Sequence, residues 1–213
     1  MIDHYDWAGG REAMLRFGPT TGPVVVAALP LFEEANRTRA FTVTILRALA
    51  ERGIAGALPD LPGQGESLVP TDAVQLGDLR DAFAAAARHV GSPAYALGIR
   101  SGALLDATAL PAGRWHFVPS TGAELLRELE RLRQAGGGSD YGGNRISSAL
   151  LGELPTAGIA AEGRTVRLES DLKPADLKVS GSPLWRRAEP DNDPALAALL
   201  ADDIAAWIRT CES

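Results

Sequence analysis

The strongest constraint on the fold is a short apolar stretch that leads directly into a helical pattern. The stretch is GPVVVAALPLF, a continuous run of small and β-branched apolar residues bounded by glycine and proline. Such runs are typical of strands buried on both faces of a parallel sheet. The following segment, TRAFTVTILRALAERG, repeats apolar residues at helical spacing: Phe41, Ile45, Leu46 and Leu49. Gly53 marks the expected end of this helix.

The alternation of strand and helix continues along the first half of the chain. The next segments are the strand IAGALPD, the helix DLRDAFAAAARHVG, the strand PAYALGI and the helix SGALLDATAL. An earlier stretch, EAMLRFGP, also predicts a strand, whereas His4 is expected to lie in a loose terminus. This order predicts a mostly parallel sheet with helices on both faces.

The second half repeats the pattern more loosely. It contains the strand GRWHFVPS, the amphipathic helix GAELLRELERLRQAG, and two short strands, RTVRLES and DLKVSG. The glycine-rich stretch AGGGSDYGGN opens a short cap-like insertion, approximately residues 139–160, within a single domain over 1–213. The stretch DPALAALLADDIAAWIRTC predicts a closing helix capped by Asp193, with Pro194 in its first position.

Composition narrows the range of partners. The chain has 213 residues, 46% of them hydrophobic and 23% charged, which suits a soluble globular domain with a sizeable core. Its net charge of −6 disfavours nucleic acids and anionic membranes as partners. No apolar run is long enough for a transmembrane segment and no signal peptide is evident, so a cytoplasmic location is expected. The single cysteine, Cys211, excludes an internal disulfide and predicts a free thiol.

Five short motifs carry a resemblance, and the first three of them occur in an order known from one superfamily. They are LPLFEEANRTR after the third strand, PDLPGQGES after the fourth, LGIRSGALL after the fifth, PSTGAELLREL after the sixth, and GSPLW near the end. The chain resembles α/β-hydrolase-fold proteins over nearly its whole length. More narrowly, it resembles small hydrolase-like proteins associated with bacterial exosortase systems. Five residues match the loop motif of that group: Pro30, Glu33, Glu34, Asn36 and Arg39. The resemblance implies a single-domain α/β-hydrolase-like fold with a reduced lid.

The LGIRSG stretch corresponds to the nucleophile elbow of that fold, with an arginine in place of serine. In the elbow G-x-S-x-G, small residues flank the central residue so that strand and helix pack closely. Gly98 and Gly102 bracket Arg100 in this register. Ser101 at the tip would require Ile99 as a small flank, which a β-branched residue does not satisfy. We therefore expect Arg100 at the tip, with Ser101 capping the following turn; Ser101 as a shifted nucleophile is the alternative.

A complete catalytic triad is not identifiable. In this fold, the acid and then the histidine follow the nucleophile in the chain. The histidines are His4, His89 and His116, and none follows His116. We expect His116 in the core and His89 as a helix-ending cation. Glu169 and Asp171 lie where the acid belongs, and without a histidine to orient they are expected to be surface charges or caps.

A binding role at the same place is the main functional hypothesis. The elbow directs a helix N-terminus toward the carboxyl edge of the sheet, where α/β proteins bind ligands. Arg100 with the Ser101 and Gly102 amides would suit a small anionic ligand. The competing interpretation pairs Arg100 with an acid of the preceding loop, either Glu33 or Glu34.

The loop after the third strand is expected to line the same pocket. By position, Leu31 or Phe32 would supply the oxyanion-hole N–H of a working hydrolase. Glu33, Glu34, Asn36 and Arg39 could line the pocket, or they could begin the next helix, where acids and asparagine are favoured. Asp60, in the loop DLPGQGES, is expected to bind backbone groups of a structural turn.

Three functions therefore stay open. The first is a non-catalytic or degenerate hydrolase homologue that binds an anionic ligand. The second is an active serine acyl hydrolase, of the carboxylic-ester class, that uses Ser101 with Asp171. The third is an accessory or interaction protein of an exosortase or exopolysaccharide system, which the resemblance alone implies. No cofactor and no metal are expected, and association of two copies is left open.

Overall fold

The computed structural model describes residues 1–91, 93–109, 111–136, 138 and 140–213. Within these ranges one sheet contains eight strands in the order β1-β2-β4-β3-β5-β6-β7-β8. Their bounds are β1 Ile2–Trp7, β2 Gly10–Phe17, β3 Val24–Ala28, β4 Ala55–Pro59, β5 Ala94–Ile99, β6 Gly113–Phe117, β7 Arg164–Leu168 and β8 Leu177–Val179. β1 and β2 run antiparallel, as do β2 and β4, and the remaining pairs are parallel. This confirms the predicted, mostly parallel sheet.

Helices cover both faces of the sheet. The α-helices are α1 Glu33–Glu51, α2 Leu76–His89, α3 Gly122–Gly136, α4 Ser148–Glu153 and α5 Pro194–Cys211. Apolar residues of α1 and α5 share one core cluster, whereas those of α2, α3 and α4 share the other. The two clusters lie on opposite faces because successive side chains of a strand alternate between faces, as Trp115 and His116 do on β6. Across the described ranges, every helix is too short or too polar to cross a lipid bilayer.

The closing helix begins as its sequence predicts. The Asp193 carboxylate accepts a hydrogen bond from the Leu196 amide at 3.0 Å, and Pro194 occupies the first turn. On the apolar face of α5, Leu200 and Ile204 are buried against the sheet. Asp203 accepts a hydrogen bond from the Trp115 indole at 2.8 Å, which ties α5 to β6.

The expectation of a loose N-terminus is wrong. Residues 2–7 form β1, an edge strand paired along its length with β2, and His4 is part of it. Only one side chain of this strand is buried: Tyr5, whose hydroxyl donates to the Asp60 carbonyl oxygen at 2.7 Å. An edge strand with one buried side chain carries little apolar periodicity, so its sequence does not reveal it.

The predicted helix over residues 101–110 is also wrong in its extent. The described part of this stretch contains a 3₁₀ helix, Arg100–Leu104, followed by turns, and residue 110 lies outside the described residues. Asp106 is directed inward to the His116 ring rather than outward to solvent. Pro111 follows shortly and disfavours helical backbone before it.

Candidate functional site

The turn after β5 places Arg100 at its tip. Arg100 has a φ of 53°, in the left-handed region that L-residues rarely adopt. The flanking glycines are sterically required: a Cβ on Gly98 would lie 2.7 Å from the Ala103 Cα atom, and one on Gly102 would lie 2.3 Å from the Ala28 carbonyl oxygen. The backbone is thus that of a nucleophile elbow, with an arginine where the serine belongs.

Arg100 is held by two carboxylates and an indole ring. Its Nε and Nη2 atoms donate to both oxygens of Glu34 at 3.2 and 3.1 Å, and Nη2 also donates to Glu128 at 2.9 Å. The guanidinium carbon lies 4.9 Å from the ring centroid of Trp185. Glu33, the other acid considered for this pairing, instead accepts from Arg37 at 2.7 Å.

The charges of this cluster are tightly coupled. Burial raises the pKa of the Glu34 carboxyl, the neighbouring Glu128 raises it further, and Arg100 only partly opposes them. Burial lowers the pKa of the Arg100 guanidinium, but both carboxylates raise it and prevail. Arg100 therefore stays charged, and its charge is shared between two acids.

Ser101 is fully buried, and its hydroxyl is engaged. Its Oγ atom accepts a hydrogen bond from the Leu31 amide at 2.9 Å. The expectation that this hydroxyl caps the following turn is therefore wrong, because Oγ faces the loop after β3. Leu31 is one of two candidates for the oxyanion-hole donor, so that donor is already satisfied within the protein. The other candidate, Phe32, has a φ of 61° at the start of α1.

The contacts of the histidines are with residues other than this serine. The His116 ring is hydrogen-bonded to Asp106 at 2.7 Å, and both side chains are buried among the helices of one face of the sheet. His89 pairs with Asp3 at 3.1 Å at the end of α2, and His4 lies on the edge strand β1. In the part of the chain that the structure describes, no histidine is hydrogen-bonded to Ser101.

The loop after β7 holds the predicted acid in an ion pair, and the loop after β8 holds no histidine. After β7, Asp171 accepts from Arg167 at 2.7 Å and from the Lys173 amide at 2.9 Å, while Glu169 is exposed. After β8, where a hydrolase carries its histidine, the chain presents Trp185 against Arg100. Arg100 and Trp185 thus form a cation–aromatic contact between the elbow and the loop after β8.

The ion pair of Asp171 predicts a pH-dependent contribution to stability. Burial raises the pKa of Asp171, but the Lys173 amide and Arg167 outweigh it and hold the pKa below its ordinary value of 3.8. The stabilisation is therefore present above pH 3.8 and is lost as the pH falls through the lower folded-state value. We expect Asp171→Asn to lower the free energy of unfolding by about 1–2 kcal/mol at pH 6. Urea denaturation should show this difference shrinking toward pH 3, and a difference independent of pH would contradict the assignment.

Two cavities flank Arg100 at the carboxyl edge of the sheet. One, of about 330 Å³, is lined by α3 and the loops after β6, β7 and β8, and it includes Ser120 and Asp171. The other, of about 630 Å³, is a more apolar groove between the start of α1 and α3, with Leu31, Phe32 and Glu34 in its wall. Arg100 lines the first cavity, and four residues line both: Glu128, Arg131, Trp185 and Arg186.

Not every predicted pocket residue lies here. Asn36 lines a separate cavity of about 310 Å³ beside Arg39 and Asp60. Arg39 donates to Asp60 at 3.1 Å, and Asp60 also accepts from the Glu66 amide at 3.4 Å. The loop DLPGQGES is accordingly a structural turn, and Gly65 adopts a φ of 57° above the Asp60 carboxylate.

Among the residues around Arg100 that the sequence analysis did not name are Ser120, Glu128 and Trp185. The amphipathic pattern of α3 identifies its apolar face through Leu125 and Leu129, but it gives no partner for a glutamate beside that face. Trp185 falls within the GSPLW motif. The motif identified this segment but did not predict the contact between Trp185 and Arg100. Across the described ranges, no group of three or more acidic, histidine or cysteine side chains is arranged to hold a metal ion.

Comparison with known proteins identifies the fold. No model of a known family matches the chain, and no curated protein matches its sequence. Among solved structures, it is similar to mouse alpha/beta hydrolase domain-containing protein 10, with a TM-score of 0.64 and 13% identity over 99% of both chains. It is also similar to a protein of Agrobacterium vitis S4 assigned as a hydrolase, with a TM-score of 0.60 and 14% identity over 99% of this chain and 97% of that one.

A third similar structure is the bottromycin epimerase BotH in complex with bottromycin A2. It gives a TM-score of 0.57 and 15% identity over 97% of this chain and 98% of that one. These similarities, together with the strand order, show that the chain has the α/β-hydrolase fold. Identities at this level establish the architecture alone.

Proposed function

We propose that this protein is a non-hydrolytic α/β-hydrolase-fold protein that binds a small anionic ligand at the carboxyl edge of its sheet. The observation that carries the non-hydrolytic part of the proposal is the residue at the elbow tip. Arg100 occupies the nucleophile position, with its guanidinium fixed by Glu34 and Glu128. An arginine in this position cannot attack an acyl group, because its guanidinium is protonated at any physiological pH.

The neighbouring serine is a poor substitute. A serine nucleophile needs a base within hydrogen-bond reach and access to substrate. Ser101 is fully buried, and the hydrogen bond recorded at its hydroxyl comes from the Leu31 amide. The same contact engages an amide that would otherwise stabilise an oxyanion. These features support loss of hydrolysis through several independent parts of the machinery.

The fold itself is compatible with other roles. Folds of this kind host many unrelated functions, and function depends on the particular site. One of the proteins of similar structure, BotH, is an epimerase rather than a hydrolase. Ligand binding at the carboxyl edge of the strands is the general behaviour of open α/β sheets, and two cavities lie at that edge here.

A fluorophosphonate probe tests the non-hydrolytic part of the proposal. The wild-type protein and Ser101→Ala should both remain unlabelled by intact mass, under conditions that fully label a control esterase. The reason is that phosphonylation needs an activated, accessible serine.

One adduct on the wild type that disappears in Ser101→Ala would overturn the proposal. It would establish the alternative, an acyl hydrolase with a shifted nucleophile. Unfolded protein is excluded as a source of labelling by recording circular dichroism on the same samples.

An accessory role in a bacterial exosortase system extends the proposal, and it is supported by the resemblance alone. Two residues of the loop motif form ion pairs within the protein: Glu34 with Arg100, and Arg39 with Asp60. Co-purification with the exosortase of the source organism tests this extension. Glu34→Gln and Arg39→Gln variants would show whether the motif also serves an interaction.

A further inference from the structure

The smaller cavity beside Arg100 carries an excess of positive charge. Six cationic side chains line it, together with three acidic ones. Each acid is paired with one of the cations: Glu128 with Arg100, Asp171 with Arg167, and Glu124 with Lys173. The remaining three cations, Arg127, Arg131 and Arg186, have no ion pair among the described residues.

The excess amounts to about two charges when the surroundings of Arg100 are included. Glu34 lies behind Arg100 and contributes one more negative charge when it is ionised. Three unpaired guanidinium groups less this one charge leave a net charge near +2 around the cavity. The three unpaired side chains are exposed at the cavity, and clustered like charges there favour the binding of an anion. A dianion would balance this site.

A buried hydroxyl in the wall of the cavity gives an independent indication of a ligand. Ser120 is 2% exposed and lines the cavity, and its Oγ atom has no hydrogen-bond partner among the described residues. Its amide donates to the Arg100 carbonyl oxygen at 3.3 Å, which fixes the residue beside the elbow. Leaving a buried hydroxyl unpaired costs about 1–3 kcal/mol. A ligand oxygen in the cavity would supply the missing partner.

We propose that this cavity binds the phosphate group of a small phosphomonoester. The inference rests on the proposed function and gives its anionic ligand a chemical class and a place. A phosphomonoester carries close to two negative charges at neutral pH and several strong acceptor oxygens. Arginine forks suit those oxygens, and Ser120 donates its hydroxyl hydrogen to one of them.

The arrangement of the arginines supports this class of ligand. Arg127 and Arg131 are four residues apart on α3, so they lie on one face of that helix. Arg186 comes from the loop after β8, on another side of the cavity. A volume of about 330 Å³ leaves room for an organic group beside the phosphate, against Leu168, Pro183 and Trp185. The site thus differs from the elbow amides, which were the first candidates for anion binding.

Calorimetric titration of the full chain tests the proposal, with inorganic phosphate, glycerol 3-phosphate and succinate as probes. We expect glycerol 3-phosphate to bind at one site, more tightly than inorganic phosphate and at least tenfold more tightly than succinate. Arg127→Gln and Arg131→Gln should each weaken binding about tenfold or more, because each removes a charge-assisted hydrogen bond. Ser120→Ala should weaken it several-fold.

A matched control comes from the same helix. Arg133 lies over the Tyr141 ring at 6.0 Å and does not line the cavity, so Arg133→Gln should leave binding unchanged. Thermal unfolding without ligand separates binding from folding. Ser120→Ala should be at least as stable as the wild type, because it removes an unpaired buried hydroxyl.

The possible outcomes separate this inference from the proposed function. Binding of glycerol 3-phosphate that survives the Arg127, Arg131 and Ser120 variants would place the ligand elsewhere, overturning this inference but not the proposed function. Preference for succinate would overturn the phosphomonoester class. Binding of none of the three probes would remove both this inference and the anionic ligand of the proposed function. Fluorophosphonate labelling judges the loss of hydrolysis separately.

Discussion

Arg100→Met should lower the free energy of unfolding by about 3 kcal/mol at pH 7. The substitution keeps much of the length of the side chain and its packing against Trp185, but it removes the charge. Glu34 and Glu128 would then face each other without a cation, and Glu34 is the more buried of the two. Removing one partner of a buried ion pair is costly because the other charge stays desolvated. Urea denaturation followed by circular dichroism measures the loss.

A second variant separates charge from packing. Arg100→Met combined with Glu34→Gln should recover much of the loss, because the uncompensated carboxylate is removed. Glu128→Gln alone should cost about 1 kcal/mol or less, since that side chain is 37% exposed. The loss in Arg100→Met should also shrink at pH 5, where Glu34 can take up a proton more readily. If Arg100→Met alone were as stable as the wild type, the ion cluster would not stabilise this site.

Gly102→Ala should prevent folding or lower the free energy of unfolding by about 3 kcal/mol or more. The added Cβ would lie 2.3 Å from the Ala28 carbonyl oxygen and 2.6 Å from that of Leu29. Both are backbone atoms at the end of β3, a strand held between β4 and β5. The clash therefore cannot be relieved by turning a side chain, and the sheet itself would have to move.

Gly77→Ala is the matched control for this prediction. Gly77 is exposed in the first turn of α2, and a Cβ there meets nothing within 4 Å. Alanine should be neutral or stabilising by up to about 1 kcal/mol, because it favours the helix. Thermal and urea unfolding of both variants provide the comparison. Equal stability of the two would contradict the close approach of the elbow to β3.

The sequence predicted the central architecture because its signal is strong there. β3 and β5 are buried throughout, so each is a continuous apolar run, and the helix that follows β3 has an equally regular apolar face. The edge strand β1 escaped prediction because a single buried tyrosine leaves no alternation to recognise. The helix predicted after Arg100 is longer than the helix observed. Local propensity does not include the tertiary hydrogen bond between Asp106 and His116.

The elbow was predictable in register but not in its contacts. The spacing of Gly98 and Gly102 marks position 100 as the tip, because only that register places small residues where backbones meet. The partner of Ser101 and the second carboxylate on Arg100 come from segments distant in the chain: Leu31 is 70 residues away and Glu128 is 28. Pairings of this kind depend on tertiary packing, which a local pattern does not encode.

On the proposed function, introducing a nucleophile at the elbow tip of this scaffold would take several coordinated changes. Arg100→Ser alone would supply a hydroxyl at the tip, yet it would leave two glutamates without their cation. The Leu31 amide would still be engaged by Ser101, and the loop after β8 would still present an indole where a base is needed. The first of these changes would lower stability, because it removes the cation of the cluster. A serine at the elbow tip is thus coupled to the ion cluster, to the Leu31 contact and to the loop after β8, and cannot be introduced by one substitution alone.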